Sequence, residues 1–518
     1  MMKGDRFMPK NILLFMTDQQ RAEYTGYAAK SKAETPNIDW IAQGAYFTCC
    51  QTTNPICSPA RTSLITGRYP RQIGTLTMSG DLSPQIPTMM QALQKAGYRT
   101  YGIGKFHYNQ TYPWSTSRGC GMDPVAGEEA ERSYGYDFIW ETAGKQQMVA
   151  NYCFYCDYLA KKGMLNAVRD FFQLCGGANG DVPHHNYDQA QPWPFAEEDY
   201  IDVVTGRVAC EQLRKHPLEW PFYMKVSFCG PHKPYDAPQR YLDMIPLDRD
   251  DDFILPEGQV ISEEDKERLY RQRRASKAMI RLIDDQIGQV LAVLRERGML
   301  EDTLILFTSD HGDMLGDHYL LQKGVPWRQA VQVPLAIRLP GATPIGEHRY
   351  PVELSDLAAT ILDYAGLEPL SALGRAWPAY NDVIPSRSLL PVLRGEQEKC
   401  REFCFSESDF TEERINGIPV TDKPYWRGAD GRRSNAWQAI ITEQSKYIKY
   451  LGYAIEERPY EEFYDLRDDP QEAINRIHDP DYREAVEQAR GRLAYVIDHH
   501  PPAQTTWCTA CAADRHLI

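Results

Sequence analysis

The sequence predicts an α/β fold, a large mainly parallel sheet sandwiched by helices, with a smaller C-terminal α+β domain. Three observations carry this. Ile12-Leu13-Leu14-Phe15-Met16 and Leu304-Ile305-Leu306-Phe307 are continuous apolar runs, each followed by a polar step and an aspartate, Asp18 and Asp310. Such runs mark strands buried on both faces, as in parallel sheets. Between them, strand-like and helical patterns alternate, the arrangement of a layered α/β domain. From about residue 400 the texture changes to short paired strands and one helix.

Taken in order, the first strand spans Lys10 to Met16 and leads into Thr17-Asp18-Gln19. Ser58 suits an N-cap and Pro59 the first helical position, which predicts a helix with Cys57 just ahead of its N-terminus. Pro87 to Ala96 reads as a helix stopped by Gly97, and Tyr98 to Gly104 as a strand. A helix from Glu198 to Lys215 precedes a strand from Pro221 to Phe228. Glu263 to Arg297 carries a long helical pattern with Met279, Ile283, Ile287 and Leu294 on its apolar face. Thr303 to Leu306 opens the second apolar strand, Val333 to Leu339 another, and Leu354 to Tyr364 a helix. Residues 112–200, rich in Tyr, Trp, Gly and Cys, read as an insertion that either lines a pocket or packs as an elaboration. The large domain is expected over 1–398 and the small one over 399–518. The latter has strands Gln438–Thr442, Lys446–Tyr450 and Glu462–Leu466, a helix from Asp481 to His499, and a tail from Pro501.

With 518 residues, 42% hydrophobic and 25% charged, the composition is that of a globular protein with a sizeable core. A net charge of −14 argues against a nucleic-acid or membrane-surface partner. No apolar run reaches bilayer length, and Met1 to Arg6 lacks the apolar core of a secretory signal, so a cytoplasmic location is expected. The 13 cysteines do not form a secreted disulfide pattern. The pairs Cys153/Cys156 and Cys508/Cys511 read as separate reduced thiols or, together, as a four-cysteine zinc site.

Several short stretches carry chemistry. A helix N-terminus beside Cys57 is a place for an anion, and Arg61, one turn on, can point back at it; alternatively Cys57 is a buried thiol beside a cap. Asp18 and Asp310 stand at strand ends, where open α/β sheets bind ligands. With Gln19 and His311 beside them they can form a shell for a hard cation, or serve as turn and cap residues. Lys105 and His107 follow a glycine-rich short strand, and His232 sits in an extended Pro231-His232-Lys233-Pro234 loop. Lys323 alone reads as a solvated surface lysine, and His318 as structural.

Together these stretches resemble the sulfatase family of the alkaline phosphatase superfamily. Cys57-Ser58-Pro59-Ala60-Arg61 matches its C-x-P-x-R element, and Gly97 to His107 its second signature ending in G-K-x-H. His232 matches a P-H-x-P loop, Thr35-Pro36-Asn37-Ile38-Asp39 a T-P-N-[IL]-D run, and Tyr464-Asp465-Leu466 with Asp469-Pro470-Gln471-Glu472 a C-terminal pattern. The resemblance implies an alkaline phosphatase-like fold and formylglycine made from Cys57 by a maturation enzyme. It also implies a divalent metal at Asp18, Gln19, residue 57, Asp310 and His311, with calcium first and manganese or magnesium as alternatives. Lys105, Lys323 and Arg61 would neutralise the sulfate and the nucleophile, His232 would act as general acid, and His107 would collapse the intermediate. The implied substrate is a small sulfate ester; the oligomeric state is left open.

The family's usual Asp-Asp and Asp-Asn pairs are here Asp18-Gln19 and Asp310-His311, which also resembles the phosphonate monoester hydrolase and choline-sulfatase branches. The expected activity is therefore an arylsulfatase-like ester hydrolase. The alternatives are a phosphonate monoester or phosphodiester hydrolase with the same formylglycine, a cysteine-thiolate hydrolase, and a non-catalytic binding protein.

Overall fold

Along β1 (Asn11–Asp18) every residue is buried, and successive side chains enter different cores. Leu13 and Phe15 join the cluster containing Val204, Met279, Ile283 and Ile287. Ile12, Leu14 and Met16 join the one containing Leu64, Met89, Leu93 and Ile361. Period-2 alternation with both faces covered is why the strand carries no polar residue between Asn11 and Thr17. Burying each such side chain contributes about 1.5–3 kcal/mol. The computed structural model describes residues 11–28, 33–76, 81–109, 125, 127–175, 190–255, 260–374, 383–409, 414–415, 418–419, 436–451 and 460–503.

The other strands of the large layer are β2 (Ala45–Phe47), β3 (Cys50–Gln51), β4 (Arg99–Gly104), β5 (Phe138–Glu141), β6 (Phe222–Pro231), β7 (Thr303–Ser309), β8 (Leu335–Arg338), β9 (Gly346–His348) and β10 (Val352–Glu353). Eight form one sheet in the order β5-β4-β6-β1-β7-β8-β2-β9, while β3 pairs with β10 separately. The sheet is parallel from β5 through β7, and turns antiparallel at β8, the strand read between Val333 and Leu339. Helices Ile201–Lys215 and Glu263–Glu296 cover one face; Cys57–Thr66, Met89–Lys95 and Asp356–Tyr364 cover the other.

Two expectations need correction. The stretch 112–200 is not wholly an insertion, because its Phe138–Glu141 segment is the sheet edge β5. Four alternating residues are too few to stand out in a sequence against a Tyr- and Gly-rich background. The buried helix starts at Cys57, not after it: Ile56 is the N-cap, and its carbonyl accepts from Ala60 N at 3.0 Å. Ser58 lies inside the first turn with a buried hydroxyl that caps nothing.

The C-terminal layer contains β11 (Cys404–Asp409), the short hairpin β12 (Arg414–Ile415) and β13 (Ile418–Pro419), β14 (Ala436–Ile441), β15 (Ser445–Leu451) and β16 (Glu461–Asp465). The antiparallel order β11-β14-β15-β16 adds a strand to the expected three, and helix Arg483–His499 packs on the sheet. Cys153 and Cys156 are buried free thiols with their sulfurs 3.5 Å apart. Cys508 and Cys511 lie outside the described residues. No helix among the described residues is long and apolar enough to cross a membrane.

Candidate active site

The four adjacent parallel strands β4-β6-β1-β7 all end at the same edge of the sheet. Each delivers polar residues just past its last pairing: Lys105 and His107 after β4, His232 after β6, Asp18 and Gln19 at β1, Asp310 and His311 after β7. The edge beyond the carboxyl ends of such strands is where open α/β sheets hold ligands. Gly104, at φ 94°, makes the close turn possible, since a Cβ there would lie 1.8 Å from the Ser227 carbonyl oxygen.

Helix Cys57–Thr66 brings its first residue to the centre of this edge. Lys323 Nζ donates to Cys57 Sγ at 2.9 Å, and Lys105 Nζ lies 3.8 Å from the same sulfur. His311 Nε2 is 3.2 Å from Cys57 Sγ and 3.6 Å from one oxygen of Asp18 and one of Asp310. Lys105 pairs with Asp18. Arg61 is fully buried: its Nε donates to Asp310 Oδ2 at 2.7 Å and its Nη1 to the Lys105 carbonyl at 2.6 Å and Ser227 Oγ at 2.8 Å.

These charges set each other's protonation. Burial raises the Asp18 carboxyl, but Lys105, His232, Lys323 and Arg61 outweigh it and hold it well below the usual carboxylate range. Burial and Asp18 push the Cys57 thiol up, while Lys105, Lys323 and His311 prevail and bring it well below the ordinary thiol value. Burial and Lys105 hold the His107 imidazole neutral, below its usual pKa. Burial and Lys323 do the same, more strongly, to His232.

The ligand atoms of Asp18, Cys57, Asp310 and His311 all lie within 4.8 Å of one another, and all four residues are buried. His311 Nδ1 is 3.0 Å from the Gly312 carbonyl, which can only accept, so Nδ1 carries the proton and Nε2 is free to ligate. Gln19 adds a buried side-chain oxygen, Oε1, that has no hydrogen-bond partner. Anionic oxygens and an imidazole nitrogen around one point suit a divalent cation, and the unpartnered amide oxygen of Gln19, next in the chain to Asp18, is a further candidate donor.

The sulfatase family model matches residues 10–367. The chain belongs to the sulfatase family. It is 29% identical over 521 residues to an arylsulfatase of Clostridium perfringens, covering 95% of each chain. To a choline-sulfatase of Rhizobium meliloti it is 27% identical, covering 92% of this chain and 84% of the relative. Its fold matches the crystal structure of a phosphonate monoester hydrolase of Agrobacterium radiobacter with a TM-score of 0.73 at 23% identity, covering 95% and 96% of the two chains. The sulfatase is accordingly a hydrolase.

In this sulfatase the ten residues singled out in the sequence converge on one edge. His232 Nδ1 is 2.8 Å from the Lys233 carbonyl, leaving Nε2 as the ring's other nitrogen. His107 has φ 59° and its N–H donates to Glu141 Oε1 at 3.2 Å, while neither ring nitrogen has a hydrogen-bond partner among the described residues. His318 is structural, stacked on Trp327 at 4.2 Å and 7°. The described aromatics of the 112–200 stretch pack inward: Trp193 meets Phe171, Phe195 and Tyr200 edge to face.

Sequence reasoning missed the residues that brace the site. Asp202 takes the N–H groups of Cys229 at 2.6 Å and Gly230 at 3.0 Å, anchoring the His232 loop. Asp313 joins the loops of Gln19, Tyr235 and Lys323. A lone aspartate in a helix or a loop carries no spacing signal; only the sequence Asp310-His311-Gly312-Asp313 placed the second one near the site. The Thr35–Asp39 motif is a brace as well, with Asn37 Nδ2 bonded to Asp284 Oδ2 at 2.8 Å on the long helix.

Proposed function

We propose that this sulfatase is an arylsulfatase-like enzyme that cleaves sulfate monoesters of small molecules, using formylglycine produced from Cys57 by a maturation enzyme. The observation that carries it is the buried sulfur of Cys57 held between Lys105 and Lys323, with the candidate cation shell on its other side. A thiol phosphatase needs a loop of backbone donors around its cysteine; here the surroundings are side-chain cations and carboxylates instead.

Asp18, Gln19, Asp310, His311 and residue 57 would hold the cation, with calcium first because four of the donors can be oxygens, and manganese or magnesium as alternatives. The bound cation supplies Lewis-acid neutralisation of developing negative charge. The chain's own residues do the rest. Lys105 and Lys323 bind the sulfate oxygens and fix the sulfur in line with residue 57, and Arg61 fixes Asp310. His232 is neutral in the free enzyme; a bound anionic sulfate ester raises its pKa, so it would take up a proton and pass it to the leaving oxygen as the ester S–O bond breaks and a new one forms to a deprotonated hydroxyl of the hydrated formylglycine. His107, neutral and without a hydrogen-bond partner among the described residues, would accept the proton of the second hydroxyl, and cleavage of the C–O bond to the sulfate would release sulfate and restore the aldehyde. A cysteine or serine at 57 has no second hydroxyl for this step.

The Asp18-Gln19 and Asp310-His311 pairs favour one further reading, a phosphonate monoester or phosphodiester hydrolase with the same nucleophile. Both are tested together. Mass spectrometry of the peptide containing residue 57 should show a species lighter than cysteine, and that preparation should turn over p-nitrophenyl sulfate faster than phenyl phosphonate esters. Unmodified cysteine in fully active enzyme removes the formylglycine reading. A large excess of phosphonate turnover reverses the order of the two substrates.

A further inference from the structure

Asp313 is not among the cation's candidate ligands, yet all its acceptor positions face elements of the site. Its Oδ2 accepts from Gln19 Nε2 at 2.6 Å and from Tyr235 OH at 2.9 Å. Its Oδ1 accepts from the N–H groups of Leu315 at 3.2 Å and Gln322 at 2.9 Å. One buried carboxylate thus ties the end of β1, the loop that carries His232, and the loop that ends in Lys323. That last loop is unusual: Leu315, His318, Tyr319 and Gln322 all have positive φ without being glycine. Such conformations cost free energy and persist only where the surroundings hold them.

The bond to Gln19 decides which end of its amide is left for the candidate cation. Both oxygens of Asp313 act as acceptors, Oδ1 for two backbone N–H groups and Oδ2 for the Tyr235 hydroxyl, so the amide presents its NH2 to Asp313. Its oxygen, Oε1, is then left on the other side, buried and without a partner. Gln19 is itself pinned at φ 67°, with its N–H on Asp310 Oδ1 at 3.0 Å. Turned the other way, the same amide would aim two N–H donors at a positive ion.

We propose that Asp313 is a positioning residue that orients Gln19 as an oxygen ligand and thereby sets the affinity of the site for its cation. This rests on the metal site of the proposed function. Asp313→Asn keeps the shape and removes the one-way hydrogen bonding. Its NH2 cannot face the two N–H donors of Leu315 and Gln322, so it faces Gln19 and turns that amide around. Replacing Gln19 with Glu in that background restores an acceptor for the new NH2 and leaves an oxygen for the cation. With Asp313 intact, Gln19→Glu sets a second carboxylate at the same bond and weakens the site despite its added negative charge.

The test is calorimetric titration of metal-free full-length protein with calcium chloride, and separately manganese chloride, for wild type, Asp313→Asn, Gln19→Glu and the double variant. The expected result is a loss of affinity of about tenfold or more for Asp313→Asn, the cost of a misdirected buried polar group. Gln19→Glu alone should lose about threefold or more, and the double variant should return to within about threefold of wild type. Unchanged affinity in Asp313→Asn, or a double variant weaker than both single ones, overturns the proposal. Should Asp313→Asn fail to fold, Gln19→Glu decides alone: tighter calcium binding than wild type overturns it. Wild type that binds no divalent cation overturns the metal site and this inference together. Wild type that binds calcium as tightly as Asp313→Asn removes the inference only.

Discussion

Lys323 Nζ donates a hydrogen bond to Cys57 Sγ at 2.9 Å, although 266 residues separate them in the chain. Lys105 stands 3.8 Å from the same sulfur, so two buried cations share one small volume. Burial lowers the Lys105 pKa, but Asp18 and Cys57 outweigh it and push it above the ordinary lysine value.

Lys323→Met keeps the bulk and removes the charge. It should lower kcat/KM for p-nitrophenyl sulfate by about 10²–10³-fold, the range seen when a transition-state charge stabiliser is lost. The melting temperature should stay level or rise, because a buried charge gives way to an apolar side chain of similar length. A kcat/KM within about threefold of wild type would remove Lys323 from the sulfate site.

The two histidines should separate by leaving group. His232→Ala deprives the departing oxygen of its proton, so turnover of an alkyl sulfate should fall about 10²–10⁴-fold. p-Nitrophenyl sulfate, whose phenolate leaves without help, should be hurt far less. His107→Ala blocks a later step, and should give one rapid equivalent of phenol per chain followed by slow turnover. Equal sensitivity of both substrates in His232→Ala, or no burst in His107→Ala, contradicts the assigned order.

Chelation should inactivate without unfolding. The pairs Lys105–Asp18 and Arg61–Asp310 give both carboxylates cationic partners within the chain itself. Activity after exhaustive chelation should drop at least about 100-fold, and calcium at 100 times its Kd should add about 2.7 kcal/mol of stability, a rise of about 2–3 degrees in Tm for a chain of this length. Full activity in metal-free enzyme would falsify the cation's role.

Stability should also depend on one histidine far from the site. His500 is buried, its Nδ1 lies 3.1 Å from the Val383 carbonyl, and its ring meets Tyr69 edge-on at 5.1 Å. Burial lowers its pKa from 6.5 to about 4. The unfolded chain therefore binds the proton first: the contribution is complete above pH 6.5 and is lost as pH falls through about 4. At 1.36 kcal/mol per unit this amounts to about 3 kcal/mol. His500→Gln should flatten the fall in Tm between pH 6.5 and 4 relative to wild type. An unchanged slope assigns the acid sensitivity to other groups.

Much of this site was legible in one dimension. The apolar runs before Asp18 and Asp310 specified buried parallel strands, because nothing else accommodates seven consecutive buried residues with a carboxylate at the end. The motifs around Cys57, Lys105 and His232 carried the resemblance to the family, and each of these residues lies within a few residues of the turn that presents it. Short elements were not legible. The four residues of β5 and the six of β11 gain their identity from the strands they pair with.

Tertiary structure alone decided the rest. Lys323 has the local surroundings of a surface lysine and is 8% exposed only because a loop folds back through four strained residues. Gln19 could be read as a turn residue, a weak ligand or no ligand; that its NH2 meets Asp313 and its Oε1 meets no partner among the described residues is visible only in the fold. Hydrophobic periodicity is local, so a chain can announce its strands. Which cation faces which sulfur depends on contacts across hundreds of residues, and only the packed sheet supplies them.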